Sequence, residues 1–449
     1  MARGMIRQWG GGMDAQFGEQ YLINLARLGD ERDITASETI FAKSGIKLIE
    51  KGTRLDSRHF EHLLRHRLEQ PVERSLSIEN GVTKDALRNH ARALIENDPS
   101  PLFRALQTRP STCAQMLRAL NAMTLLEPLA FKLTLARDQL PELYDHSIRI
   151  AMLALYLGIE IRLSDQDLCT LALAGLFHDL GLLYIDPQLM APGRKLDKLE
   201  RHHLYSHPIT AYLILREYPA YHPQVSVTVL EHHERLDGSG YPRGTSGSAI
   251  NIGTQILMLA EAAGGLLAGG GRLQSAARLT IMLKLNQHRF NRALSRHLIA
   301  LAATMENSET VLEDAMMAVF QIEMQLALLA NAFREWDGTY LACLERAIPD
   351  EAPSLLILLN ERMDSLRRNL LGAGVEPESA AEMVKEFADD HAIMAELESM
   401  MREAIWQLSD ILHEARRRWQ ELNGGDVGTL QLMRQWLENS EQRLAETGN

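Results

Sequence analysis

Eight of the chain's sixteen histidines lie between positions 146 and 233, and they cluster where apolar, helix-period stretches begin or end. No other feature constrains the fold as much, because a shared site would have to draw its side chains from several helices. His178 and Asp179 close the apolar run 168–177, with Gly181 just beyond. His232 and His233 end the run 225–234, and His207 precedes Pro208 at a helix start. His146 follows Glu142 by four residues, which puts both on one helix face. Glu261 lies inside the apolar run 252–267, where a carboxylate without a partner is costly.

At 449 residues the chain is expected to form two or three domains. Aromatic residues make up only 6%, while Leu, Ala, Met and Arg are plentiful, a bias toward helix over sheet. The formal charge of -12 argues against a broad nucleic-acid-binding face, though not against a local basic pocket for a small anion. Cys113, Cys169 and Cys343 are too few and too widely spaced for a disulfide framework or a cysteine-based zinc module, so a reducing compartment is expected. Arg3 and Arg7 are followed by no continuous apolar stretch of the kind a secretory leader has. No uncharged apolar stretch reaches the roughly 20 residues of a spanning helix. The expected location is cytoplasmic.

Short strands are expected between positions 40 and 55, with Ile46, Leu48 and Ile49 bracketed by Gly45 and Gly52. Asp56 reads as the N-cap of a following helix, and Pro141 as the first residue of another. After about 304, interleaved apolar and charged residues predict three or more helices, broken at Pro349 and Pro353, at 372–377, and at Asn423-Gly424-Gly425. The expected fold is mainly α: a small mixed α/β N-terminal region (1–134), a helical metal-binding domain (135–303) and a helical C-terminal extension (304–449).

Imidazole and carboxylate together are the ligands of borderline divalent ions such as iron, manganese, nickel or zinc. One bridging carboxylate can hold two ions about 3.5–4 Å apart, the spacing used in two-metal phosphoryl chemistry. A single histidine on a helix is more often a surface or satisfied core residue, and a lone His-Asp pair is weak. The weight rests on the ordered set and on the glycine-rich loop that follows it.

That loop and the motifs before it carry a resemblance. Leu176-Phe177-His178-Asp179-Leu180-Gly181, His207-Pro208 and the run from His232-His233-Glu234-Arg235 through Leu236-Asp237-Gly238-Ser239 to Gly240-Tyr241-Pro242 resemble the HD-GYP subgroup of the HD superfamily. The resemblance spans roughly 135–300 and implies a helical domain that hydrolyses cyclic di-GMP or a related cyclic dinucleotide at two or three divalent ions. It implies that His146, His178, Asp179, His207, His232, His233 and Glu261 are metal ligands, with Asp179 bridging. Glu142 matches a glutamate that accompanies a third metal in some members. Asp179 and His178 would stand at the catalytic centre, and Gly240 and Tyr241 would shape the substrate groove or a partner surface. A diguanylate cyclase-type or other signalling protein is an expected partner.

Three positions depart from the family pattern. Leu182 stands where a lysine would reach the substrate phosphate, Glu261 replaces an aspartate, and Glu261-Ala262-Ala263-Gly264-Gly265 lacks the second aspartate and basic stretch that follow it. Arg194, Lys195 and Arg272 are candidates to restore positive charge, although such side chains are usually solvated. His202 and His203 are read as surface residues. Two functions stay open: a metal-dependent cyclic-dinucleotide phosphodiesterase, and a catalytically weak sensor or interaction protein that keeps metal or nucleotide binding.

Overall fold

The computed structural model describes residues 16–191, 194, 196–268, 276–304, 315–346, 354–378, 384, 391–419 and 427–446. The fold is mainly α, and the chain divides into two compact units, Met1–Ala268 and Gly269–Asn449.

The first unit opens with helix α1 (Gln16–Glu31) and five short strands: β1 (Ile34–Ala36), β2 (Ile40–Phe41), β3 (Lys47–Ile49), β4 (Arg54–Leu55) and β5 (Leu76–Ile78). β1 is central in an antiparallel sheet of order β4-β1-β5, with Ile34 opposite both Leu55 and Ile78. β2 and β3 form a hairpin, turned at Gly45, whose φ of 82° favours a residue without Cβ. Asp56 caps α2 (Ser57–Leu64), accepting a hydrogen bond from the His59 backbone N–H. Helices α3 (Lys84–Asn97), α4 (Pro101–Gln107), α5 (Pro110–Ala122) and α6 (Glu127–Gln139) follow.

The central helix α7 (Pro141–Glu160) starts with the expected proline in its first turn, and every residue from 150 to 158 is buried. A helix apolar on all sides belongs inside a core. Its end is closed without glycine. Arg162 takes φ 59° and donates to the Ile159 carbonyl, and the Leu163 N–H donates to the Gly158 carbonyl. Ser164 then caps α8 (Asp165–Phe177), whose first turn carries Asp165 and Asp167, placed well against the helix dipole. α8 packs tightly on α7: a Cβ on Gly175 would lie 2.6 Å from Ala151 Cα. Beyond it come a 3-10 turn (Leu180–Tyr184), then α9 (Lys198–Leu204), α10 (His207–Arg216), α11 (Pro223–Leu230) and α12 (Ile252–Ala268). The stretch Asp165–Tyr184 has the length and composition of a membrane-crossing helix, but 78% of it is buried against the rest of the fold, as in a core helix.

The N-terminal elements are joined to this core by a buried cluster. Lys132 on α6, fully inaccessible, lies 2.7 Å from Glu73 and 2.6 Å from the Tyr184 hydroxyl. Its ammonium also sits 4.0 Å from the centre of the Tyr21 ring, which stacks on Tyr184. Beside it, the buried Asn24 amide donates to the Leu183 carbonyl at 3.0 Å.

The second unit consists, among its described residues, of α13 (Ala276–Leu285), α14 (Arg292–Ala302), α15 (Ala315–Arg346), α16 (Ser354–Gly372), α17 (His391–Arg417) and α18 (Val427–Glu446). The last four are the helices expected after 304. The breaks expected at Pro349, Pro353 and Asn423-Gly424-Gly425 lie outside the described residues. Trp336 and Trp436 meet in the core, and Arg289 and Arg362 converge on Asp410 at 2.5 and 2.8 Å. The division after Ala268 differs from the boundary expected at 303/304. Ile281 and Leu285 of α13 are buried with α15 to α18, a long-range packing choice that helical period does not reveal.

Candidate metal centre

The site is built from helix ends and one helix interior. His178 is the C-cap of α8 and Asp179 the next residue, while His207 opens α10 and His232-His233 follow α11. His146 comes from α7 and Glu261 from α12. Gly181 lets these parts meet, because a Cβ there would stand 2.1 Å from the His207 carbonyl oxygen. No side chain fits between them.

Asp179 divides its two oxygens between two groups of imidazoles. Its Oδ2 lies 3.4 Å from His178 Nε2 and 3.9 Å from His146 Nε2. Its Oδ1 lies 3.2 Å from His207 Nε2 and 3.7 Å from His232 Nε2. Glu261 completes the first group, at 3.0 Å from His146 Nε2 and 3.2 Å from His178 Nε2. His233 completes the second, its Nε2 3.2 Å from that of His207. The ligand atoms of His146, His178 and Asp179, and those of Asp179, His207, His232 and His233, fall within 4.8 Å of one another in each group.

Three of the rings are set by the backbone. Nδ1 of His178 donates to the Gly175 carbonyl, that of His207 to Leu204, and that of His232 to Val229, at 2.8, 2.8 and 2.6 Å. A carbonyl can only accept, so each Nδ1 carries the hydrogen, and Nε2 is turned inward as the ligating atom. Nε2 of His178 and of His232 are buried without a hydrogen-bond partner. His178 Nε2 has two carboxylate oxygens close by and is aligned with neither. Ring nitrogens and carboxylate oxygens gathered in this way, with buried polar atoms left over, fit a divalent cation at each group.

The electrostatics agree. Burial opposes charge on Asp179, yet His178, His207 and His232 hold its carboxyl well below the usual range. Burial likewise opposes charge on Glu261, and His146 and His178 outweigh it, so its carboxyl is also held well down. His178 is buried, which disfavours its cation, but Asp179 and Glu261 raise it well above an ordinary imidazole. His233 is pushed far down, by burial first and then by His232 and His207, and stays in the neutral, ligating form. The core of the site is thus two carboxylates, both anionic, among imidazoles.

The other expected residues are distributed unevenly. Glu142 is exposed one turn before His146 and enters neither group. Its place on the His146 face is real, but the first turn of α7 leaves it in solvent. Tyr241 lies against the second group, stacked on His233 with ring centres 4.7 Å apart. Gly240 is buried, and a Cβ there would come within 2.3 Å of Glu234 Cα. Arg194 pairs with Glu200 at 2.5 Å and donates to the Gln188 carbonyl, which makes it a brace of its own loop. Lys195 and Arg272 lie outside the described residues. Leu182 is 9% exposed and packs with Ile185 and Leu189 in a small apolar cluster.

Sequence reasoning assigned no role to Glu234, Glu231 or Arg235. The fully buried Glu234 carboxylate accepts the backbone N–H groups of Arg243 and Thr245 at 2.7 and 3.0 Å, and Glu231 pairs with Arg243. Together they fix the loop that carries Tyr241. A glutamate directly after two histidines and just before a glycine-rich turn was the available signal. The Arg235 guanidinium brings positive charge to this side of the cluster: it adds to the burial that pushes His233 down and partly offsets the burial that pushes the Tyr241 hydroxyl well up.

Residues 132–294 match the family described as HD domain, so the chain carries an HD domain. A stretch of 122 residues is 33% identical to the 3'3'-cGAMP-specific phosphodiesterase 1 of Vibrio cholerae serotype O1, covering 26% of this chain and 27% of that protein. A match of 122 residues to the cyclic di-GMP phosphodiesterase response regulator RpfG of Xanthomonas campestris pv. campestris is 34% identical, covering 27% of this chain and 32% of that protein. The chain thus spans about a quarter to a third of the length of these curated relatives. Among solved structures, the Bdellovibrio bacteriovorus HDG"Y"P protein Bd1817 aligns with 61% of this chain and 97% of its own, at 14% identity and a TM-score of 0.33.

Proposed function

We propose that the protein is a metal-dependent phosphodiesterase acting on cyclic di-GMP or a related cyclic dinucleotide such as 3'3'-cGAMP. The observation that carries this reading is Asp179, whose two oxygens face two separate imidazole groups, as a carboxylate bridging two ions would. His146, His178, Asp179 and Glu261 would hold one ion, and Asp179, His207, His232 and His233 the other. Iron or manganese suits this nitrogen and oxygen set, with nickel or zinc as further candidates. Bound ions would polarise the phosphodiester and supply an activated water at neutral pH. The chain's own residues orient the rings through Nδ1, and Glu234 holds the Tyr241 loop against His233. The names of the similar proteins support the substrate class. Cyclic-dinucleotide signalling makes a diguanylate cyclase-type protein a reasonable partner. Cys113, Cys169 and Cys343 form no disulfide, which suits a cytoplasmic setting.

A second reading, a nucleotide-binding sensor with weak turnover, is favoured by Leu182. That side chain packs among leucines and offers no charge to a phosphate. One experiment separates the two readings. Metal-loaded protein is incubated with cyclic di-GMP and with 3'3'-cGAMP while metal content, affinity and linear product are measured, alongside Glu261→Gln and Glu261→Asp. The enzyme reading expects turnover in the parent, retained in Glu261→Asp and lost together with metal in Glu261→Gln. Tight nucleotide binding without product in all three proteins would leave the sensor.

A further inference from the structure

An aromatic ladder leads away from the second imidazole group. His233 stacks on Tyr241 at 4.7 Å with 22° between the planes, and Tyr241 stacks on Tyr205 at 4.4 Å and 9°. The inner end of the ladder is a member of the candidate metal centre. The outer end is Tyr205, a residue left 44% exposed. Large aromatic side chains normally bury most of their surface, so an exposed ring in a fixed pose beside a polar site calls for a reason.

The pose is fixed by the backbone around it. The Tyr205 N–H donates to the Arg201 carbonyl at 2.9 Å and the Ser206 N–H to the His203 carbonyl at 3.1 Å. The buried Ser206 hydroxyl donates to the same His203 carbonyl at 2.6 Å, and His207 Nδ1 to Leu204 at 2.8 Å. Four hydrogen bonds within seven residues fix the backbone that carries Tyr205 and sets His207, and stacking on Tyr241 holds the ring. Tyr205 therefore keeps its place relative to the imidazoles before any ligand arrives.

We propose that Tyr205 is the base-stacking platform of this site. One face lies on Tyr241, and the other takes the purine of a nucleotide whose phosphate is held at the imidazole and carboxylate groups. The inference rests on the phosphodiesterase reading above and adds the residue that would grip the base. Stacking uses the flat face of a base and leaves its hydrogen-bonding edge unread. Tyr205 then contributes similarly to adenine and guanine, and nothing to a phosphate without a base.

The test is a titration of the metal-loaded full chain with cyclic di-GMP, 3'3'-cGAMP and inorganic phosphate. It compares the parent with Tyr205→Leu, which keeps apolar bulk against Tyr241, and with Tyr205→Trp. Tyr205→Leu is expected to weaken both dinucleotides by roughly 10- to 100-fold, the range base–aromatic stacking supplies. Phosphate affinity and metal content should stay at parental values, and Tyr205→Trp should restore dinucleotide binding. Unchanged dinucleotide affinity in Tyr205→Leu overturns the inference and leaves the phosphodiesterase reading standing. A parallel loss of phosphate affinity or metal also overturns it, since Tyr205 would then act by propping Tyr241 and His233. A parent that binds phosphate but neither dinucleotide overturns both.

Discussion

Two clusters of ionisable side chains are buried in the first unit, and they are closed in different ways. Around Lys132, charge meets charge: the ammonium has the Glu73 carboxylate, the Tyr184 hydroxyl and the Tyr21 ring within reach. Around Asp179, two carboxylates face five imidazoles, and the inward nitrogens of His178 and His232 are left without a hydrogen-bond partner. Burial has the same cost in both places. The first cluster settles the cost of its charges within the chain, although the neutral Tyr21 hydroxyl has no hydrogen-bond partner, and fastens the N-terminal elements to the core. The second leaves it open, and a cation from outside would complete it. Buried charge alone therefore does not mark a functional site. Unpartnered ring nitrogens that converge with carboxylate oxygens do.

The sharpest way to break the contrast is Asp179→Ala. A neighbour that only orients a ligand typically costs 10- to 100-fold in metal affinity, so losing the shared carboxylate should cost more than about 100-fold. Metal analysis of the purified variant checks this, and parental metal content would remove Asp179 from the centre. Next comes Lys132→Met, which strands a buried carboxylate. It should cost about 3–5 kcal/mol in denaturant unfolding, with metal per folded chain unchanged. Adding Glu73→Gln should recover much of that stability; no recovery would mean the pair is not closed on itself.

A smaller effect is expected from Leu182→Lys. Sequence reasoning alone suggests that this change would supply the missing cation and raise turnover. The same reasoning allows that a charge there would instead disturb local packing, and the packing of this side chain with Ile185 and Leu189 favours that outcome. A loss of roughly 1–3 kcal/mol in stability without gain in turnover is expected. A faster enzyme of parental stability would show that the lysine reaches out of the cluster.

The finest test is pH. His178 is raised well above its ordinary 6.5, so in ion-free protein its contribution to stability is complete below pH 6.5 and is lost as pH rises through the raised value. Glu261 is lowered well below 4.5, so its contribution is present above pH 4.5 and is lost as pH falls through the lowered value. A cation must displace the His178 proton, so metal affinity should rise with pH through that raised value, and binding should release protons. Calorimetry in buffers of different ionisation enthalpy reads the release, and none would mean that His178 binds as the free base from the start.

What was legible in the sequence was what is local. Helix starts at Pro141 and Asp56 and the His-Asp pair closing α8 are short-range patterns, and the structure has them where they were expected. The helix expected over 225–234, by contrast, stops at Leu230 and leaves His232 and His233 beyond it. The meeting of Lys132 with Glu73 across 59 positions and the burial of Leu182 depend on which helices pack together. Period and spacing carry little of that. Glu142 shows the limit from the other side, since sharing a helix face with His146 did not bring it to the site.

Gly181 and Leu182 are neighbours with opposite mutational futures. At 181 the missing methyl is the space that another helix's carbonyl comes to fill, so any side chain there pushes His207 away from Asp179. At 182 the side chain points into a patch of leucines and isoleucine, where apolar replacements of similar bulk can come and go. Two adjacent positions thus meet opposite rules, free apolar exchange at one and no side chain at all at the other.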